Sequence, residues 1–374
     1  MMNNVDISYE GRRKNLKLPS LKIGDLEAKV PIIQGGMGVG ISMSGLASAV
    51  ANAGGIGVIS GLHLSLSDPK WGPNIRKGNI EALRHEIRRA RELSPKGIIG
   101  VNILVAVTEY EDLVATAVEE GADLIISGAG LPLSLPEFVK GTHTKAVPIV
   151  SSARGAATIC KSWIQKHNYI PDAIIVEGPK AGGHLGFKLE ELANMDNYKL
   201  EDIVPQVIET VKPFEEQYGK KIPIIAAGGI FDGKDIAKFI KLGASGVQMA
   251  TRFVATYECD AAMEFKQAYI NAKKEDVVII KSPVGMPGRA IRNQFLIDVE
   301  NNAKKPDVCR YNCLKTCDPK KAPYCISQAL INAQKGNLGE GFAFCGENVY
   351  RVDKIVHVDE LISELVREAE ENLQ

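Results

Sequence analysis

The sequence predicts a (β/α)8 barrel, an α/β fold of the TIM-barrel type, with a C-terminal lid or subdomain. Three observations predict it. Eight short runs rich in Val, Ile and Ala lie between residues 30 and 250, and amphipathic segments separate them. Most of these runs are nearly continuous in apolar residues, as parallel strands covered on both faces must be. The units are near-equal and show no clear reversal of order, which favours a closed barrel over a doubly wound sheet.

The elements follow in order. A strand over 30–34 precedes a helix over 44–53, where Leu46, Val50 and Ala53 share one stripe. A strand over 56–60 precedes a helix over 79–93, where Ile80, Leu83, Ile87 and Leu93 alternate with a charged face. Further strands are expected at 98–103, 123–127, 147–151, 173–177, 222–227 and 246–250, with helices at 109–120, 153–166, 203–218, 234–241 and 261–272. Gly54, Gly121 and Gly243 each come just after a helix, which suits a left-handed C-terminal cap. After residue 273 the rhythm stops. The stretch 281–293 reads as a Pro/Gly-rich loop, 309–325 is Cys-rich, and helices are expected near 326–335 and over 358–373. The division is therefore a barrel over 20–280, a lid over 281–345, and a C-terminal helix within 346–374 that packs back on the barrel.

Charge narrows the function. Lys plus Arg number 45 and Asp plus Glu number 45, so the chain lacks the electrostatic pull of a nucleic-acid or membrane-surface binder. No apolar stretch is long enough to span a membrane, and the polar N-terminus lacks the centre of a secretory signal. The expectation is a cytoplasmic protein. Its seven cysteines, an odd number, are expected as reduced thiols or metal ligands rather than a disulfide framework.

In such a barrel the chemistry sits at the C-terminal ends of the strands. Glycine is dense there: Gln34-Gly35-Gly36-Met37-Gly38, Glu177-Gly178-Pro179-Lys180-Ala181-Gly182-Gly183-His184, Gly228-Gly229-Ile230, and Met249-Ala250-Thr251 ahead of Arg252. Glycine lets a ligand approach the backbone and its amides. The last two loops follow strands seven and eight, where barrels commonly bind phosphate, so a phosphate-bearing cofactor is expected rather than plain tight turns. His184 ends the sixth loop and should project into the same mouth, where an imidazole can move one proton beside a redox cofactor.

The runs PIIQGGMGVGISMSGLASAVANAGGIGVIS, GVNILV, EEGADLIISGAG, VEGPKAGGHLG, PIIAAGGIFDGKDIAKFIKLGASGVQMATRF and RAIRNQ, in that order, resemble the FMN-dependent nitronate monooxygenase family, formerly 2-nitropropane dioxygenases. They are also similar to the FMN-dependent enoyl-acyl-carrier-protein reductases. The resemblance covers roughly residues 20–295 and implies a barrel holding FMN without a covalent link. It implies that Gly35, Gly36 and Met37 lie along the isoalloxazine edge, and that Asn102 hydrogen-bonds the ring. Ala181, Gly182 and Gly183 would sit near ribityl and phosphate, and Gly228, Gly229, Gln248, Ala250 and Thr251 would serve the phosphate. Gln34, Glu177 and Met249 belong to the same cofactor set, and His184 matches the family's active-site histidine. Ser151 and Ser152 match no flavin contact.

The Cys-rich segment departs from the family. Its spacing is Cys309-x3-Cys313-x3-Cys317-x7-Cys325, and on a helix the first three would share one stripe. Four thiolates suit an iron–sulfur cluster or zinc, but the spacing is that of neither a ferredoxin nor a zinc ribbon, which favours packing by reduced thiols. The leading functional expectation is an enzyme that oxidises alkyl nitronates to a carbonyl compound and nitrite with O2. The alternatives are an NAD(P)H-dependent flavin oxidoreductase of the enoyl-reductase type and a non-catalytic flavin-binding barrel. A small-molecule substrate is expected in each catalytic case, with a homodimer left open.

Overall fold

The computed structural model describes residues 17–306 and 309–374. A hairpin of β1 (Leu21–Ile23) and β2 (Leu26–Ala28) comes first. The strands β3 (Ile32–Gln34), β4 (Ile56–Ser60), β5 (Ile98–Leu104), β6 (Leu124–Gly128), β7 (Lys145–Val150) and β8 (Ile174–Glu177) follow. A two-residue strand β9 (Gly183–His184) leaves the series, and β10 (Ile224–Ala227) and β11 (Gly246–Met249) complete it. Strands β3 to β8, β10 and β11 close into one parallel barrel, with β11 pairing back to β3. The expected fold class is the observed one, and each barrel strand lies within two residues of its expected ends.

The apolar runs are continuous because successive residues feed two cores. Ile33, Ile126, Ile175 and Ile225 point into the barrel interior, while their neighbours Ile32, Ile125 and Ile174 pack against the helices outside. Each such isoleucine is fully buried and contributes about 1.5–3 kcal/mol by leaving water. The hairpin β1–β2 was not expected from the sequence. Leu21, Ile23 and Ala28 join the interior core, so it stoppers the end of the barrel away from the strand C-termini. Its strands are too short for periodicity to register.

Helices fill the spaces between strands, from Ser44–Asn52 to Met263–Asn271. Gly54, Gly121 and Gly243 take positive φ (91°, 75° and 96°) at the helix ends, as the cap reading requires. The helix Val358–Leu373 packs on Gly233–Lys241, so closely that a Cβ on Gly233 would lie 2.3 Å from Glu368 Cβ.

The region after residue 273 corrects two expectations. The Pro/Gly-rich stretch is a hairpin rather than a loop: β12 (Val277–Lys281) pairs with β13 (Pro287–Ile291), and β13 pairs in turn with β9. The hairpin is held by that third strand, a partner about a hundred residues away that local pattern cannot reveal. The cysteines do not lie on a helix either. Val107 and Leu314 form an antiparallel bridge, Thr108 N–H donates to the Cys313 carbonyl (3.1 Å), and Lys315 N–H donates to the Ala106 carbonyl (3.0 Å). Those bonds hold the segment to residues 106–108 in place of a helix, and Asn312 enters them with a φ of 43°.

Candidate active site

The strand ends meet the lid around one cavity, with about 1340 Å³ of empty space including its open mouth. The expected residues Gly35, Gly36, Met37, Asn102, Glu177, Ala181, Gly182, Gly183, His184, Gly228, Gly229, Gln248, Met249, Ala250 and Thr251 all line it. They come from five of the eight strand ends. Gln34 stands apart: it is buried, its Nε2 donates to the Gly35 carbonyl (2.6 Å), and its Oε1 accepts from Val58 N–H (3.0 Å). It braces the first strand rather than facing the cavity.

Much of the wall is bare backbone. Gly228 and Gly229 both take positive φ, 93° and 85°, where L-residues are strained. A Cβ on Gly36 would lie 2.4 Å from Asn102 Cβ, and one on Gly182 would lie 2.6 Å from the Cys345 carbonyl carbon. Gln248 Oε1 is buried in this wall with no hydrogen-bond partner among the described residues. A flat heteroaromatic ligand with polar edges and a phosphate tail answers each feature: a close backbone approach, a donor for the orphaned oxygen, and amides for the anion.

The titratable groups are few. Burial pushes the Glu177 carboxyl up to about 7, so it holds its proton through mildly acidic solution. Burial pushes the His184 imidazole down to about 4, so it is neutral at physiological pH. His184 Nε2 lies 2.7 Å from Ser282 Oγ, and Phe344 meets the ring edge-on with centroids 5.0 Å apart.

Several cavity residues were not foreseen. Tyr269, Leu330, Phe344, Cys345 and Gly346 line the lid side. They arrive from separate segments, and no periodicity or motif marks them. Arg289 explains how they are held. It is 1% exposed, donates to the carbonyls of Pro179 (2.7 Å) and Ala181 (2.5 Å), and pairs through Nε with Glu347 (2.9 Å). One buried cation thus ties the loop after β8 to the lid. Gly346 N–H also donates to Thr251 Oγ1 (3.1 Å), and Asn348 Nδ2 to the Gly229 carbonyl (2.7 Å).

The alternative reading of Cys309, Cys313, Cys317 and Cys325 as a metal centre finds no support in the structure. Among the described residues no three His, Cys, Asp or Glu side chains are placed to hold a metal ion. Cys309 is exposed, Cys313 is buried, and Cys317 and Cys325 are half-buried. Burial raises the Cys313 thiol to about 11 and pushes Cys317 and Cys325 upward too, which keeps them as thiols. The bridge of Leu314 to Val107, in place of a helix, is the physical reason the shared stripe does not form.

Comparison with known proteins gives the chain a family. The nitronate monooxygenase family model matches residues 20–368. A "Probable nitronate monooxygenase" of Staphylococcus saprophyticus is 27% identical, over 95% of this chain and 99% of that protein. The solved structure of FabK from Thermotoga maritima superposes with a TM-score of 0.71 at 27% identity, covering 92% of this chain and 94% of that one. Nitroalkane oxidase from Streptomyces ansochromogenes shares the fold, with a TM-score of 0.70 at 21% identity over 92% and 97% of the two chains.

Proposed function

This chain belongs to the nitronate monooxygenase family and is a flavin-dependent oxidoreductase, and from that premise we propose that it binds FMN and oxidises alkyl nitronates with O2 to a carbonyl compound and nitrite. The single observation that carries the reading is the convergence of the glycine wall and His184 on one cavity. Gly228, Gly229, Ala250 and Thr251 would hold the phosphate. Gln248, Asn102 and the protonated Glu177 would serve the polar edges of the ring, with Gly35, Gly36 and Met37 alongside it. Bound FMN supplies the electron-accepting chemistry.

The protein's part is orientation and proton control. A nitronate is anionic at its oxygens. A neutral His184 can hydrogen-bond that anion without the cost of burying a second charge. Leu330 and Phe344 keep water from the side where the alkyl group would lie.

A second reading is an NAD(P)H-dependent flavin oxidoreductase of the enoyl-reductase type, favoured by the superposition on FabK. Mixing the pure flavoprotein without oxygen separates the two. Bleaching of the flavin by a nitronate and not by NADH or NADPH supports the oxidation of nitronates, and rapid bleaching by a nicotinamide supports the reductase. Inertness to all three donors with flavin still bound would mean a barrel that keeps its cofactor without turnover. Among the described residues no helix is long and apolar enough to cross a membrane. The seven cysteines are unpaired, which supports residence in a reducing cytoplasm.

A further inference from the structure

His184 is joined to the lid by one side-chain hydrogen bond, and the chemistry of that bond fixes more than position. Ser282 follows β12, is buried, and lies across the sheet from β9, which carries His184. Its Oγ already accepts from Val284 N–H (3.2 Å). A serine hydroxyl has one proton to give and two lone pairs. The Tyr324 hydroxyl donates to the Lys281 carbonyl (3.4 Å), and with one Ser282 lone pair taken by Val284 the serine proton is free for His184 Nε2 at 2.7 Å. If Ser282 donates to Nε2, that nitrogen carries no hydrogen and the proton of the neutral ring sits on Nδ1. Among the described residues Nδ1 has no side-chain or backbone partner, while His184 itself lines the cavity.

We propose that Ser282 is a positioning residue that locks His184 in its Nδ1–H tautomer, so that the imidazole meets an oxygen of the bound substrate as a hydrogen-bond donor. The phenyl edge of Phe344 holds the ring plane, and Ser282 sets which nitrogen donates. The arrangement selects substrates that present an anionic or carbonyl-like oxygen to His184, a class that includes nitronates and excludes ligands offering only a donor there. The kinetic half of this inference rests on the cavity being the site of oxidation. The tautomer half does not.

The test keeps those halves apart. In the full-length flavoprotein, long-range proton–nitrogen NMR correlations of ¹⁵N-histidine, assigned by comparison with His184→Ala, report the tautomer. The expected result is Nδ1–H in the wild type, loss of that preference in Ser282→Ala, and its return in Ser282→Thr. With a nitronate as substrate, Ser282→Ala should lower kcat roughly 10- to 100-fold, the scale on which an outer partner orients an imidazole. KM should change little and Ser282→Thr should restore most of the rate, with flavin content equal in all three. An Nε2–H ring in the wild type, or an unaltered tautomer in Ser282→Ala, overturns the proposal even if Ser282→Ala folds poorly for kinetics. Absence of any nitronate turnover in the wild type would instead count against the functional reading, and the NMR result would stand.

Discussion

The two walls of the cavity are made of different material. The barrel wall is backbone: Gly35, Gly36, Gly182, Gly228 and Gly229 present amides and carbonyls at strand ends whose ladders fix them in place. The lid wall is side chain: Leu330, Phe344 and Tyr269 reach in from segments spread between residues 269 and 344. The difference separates two jobs. A backbone wall loses no rotamer freedom when a ligand arrives, and its shape does not depend on side-chain identity, so it suits a resident cofactor. A side-chain wall can be altered one residue at a time, so it suits a changing substrate.

The sharpest way to break this division is to give the backbone wall a side chain. Gly182→Val would drive a Cβ to within 2.6 Å of the Cys345 carbonyl carbon, which cannot rotate away. Overpacking of this kind costs roughly 3 kcal/mol. The expected outcome is loss of flavin, read as colourless protein and absent cofactor release on denaturation. A yellow variant with normal affinity would mean that the wall yields.

His184→Ala tests the opposite wall and should show the converse pattern. Flavin content should stay normal, because none of the phosphate-loop glycines touches the imidazole's partners Ser282 and Phe344. Turnover should fall about 10²-fold, a general acid–base or donor contribution. Equal loss of flavin and activity would merge the two walls into one unit.

Glu177, at the end of β8, sharpens the comparison through pH. Its carboxyl titrates at about 7 in the folded chain, above the ordinary 4.5, because burial penalises the charge. Between those values the unfolded chain has released a proton that the native chain still holds, so this group makes stability fall as pH rises. Glu177→Gln removes that slope. Relative to the wild type, its denaturation midpoint should therefore gain ground from about pH 5 to pH 7. A constant offset across the range would mean that Glu177 ionises normally in the native state.

The smallest effect is expected away from both walls. Cys313→Ser and Cys317→Ser should each cost no more than about 1–2 kcal/mol. Flavin content and rate should be unchanged, and elemental analysis of anaerobically purified wild type should give no stoichiometric iron or zinc. A metal lost together with these thiols would restore the metal centre that the bridged segment argues against.

These contrasts also mark how far the sequence could be read. The barrel strands were legible because each is a local object: Ile174 and Ile175 are both apolar, since one faces the helices and the other the interior. The glycine loops were legible because backbone approach requires a particular residue, and His184 because it ends such a loop. Phe344, Ser282 and Arg289 were not, because their roles depend on partners far away in sequence. Arg289 matters through two carbonyls more than 100 residues earlier. The helical stripe considered for the cysteines fails for a related reason. Their helical spacing is a local regularity, and bonds from residues 106–108 override it.

The pairing of β9 with β13 has a consequence for what holds His184 in place. The same two residues that carry His184 into the cavity form an edge of the lid's own sheet, Gly183 opposite Arg289 and His184 opposite Gly288. The strand that carries the imidazole and the strand that carries Arg289 share one ladder, so a displacement of either would be transmitted to the other. The alignment of His184 is in this sense borrowed: two short strands lend it the position of an element about a hundred residues further along the chain.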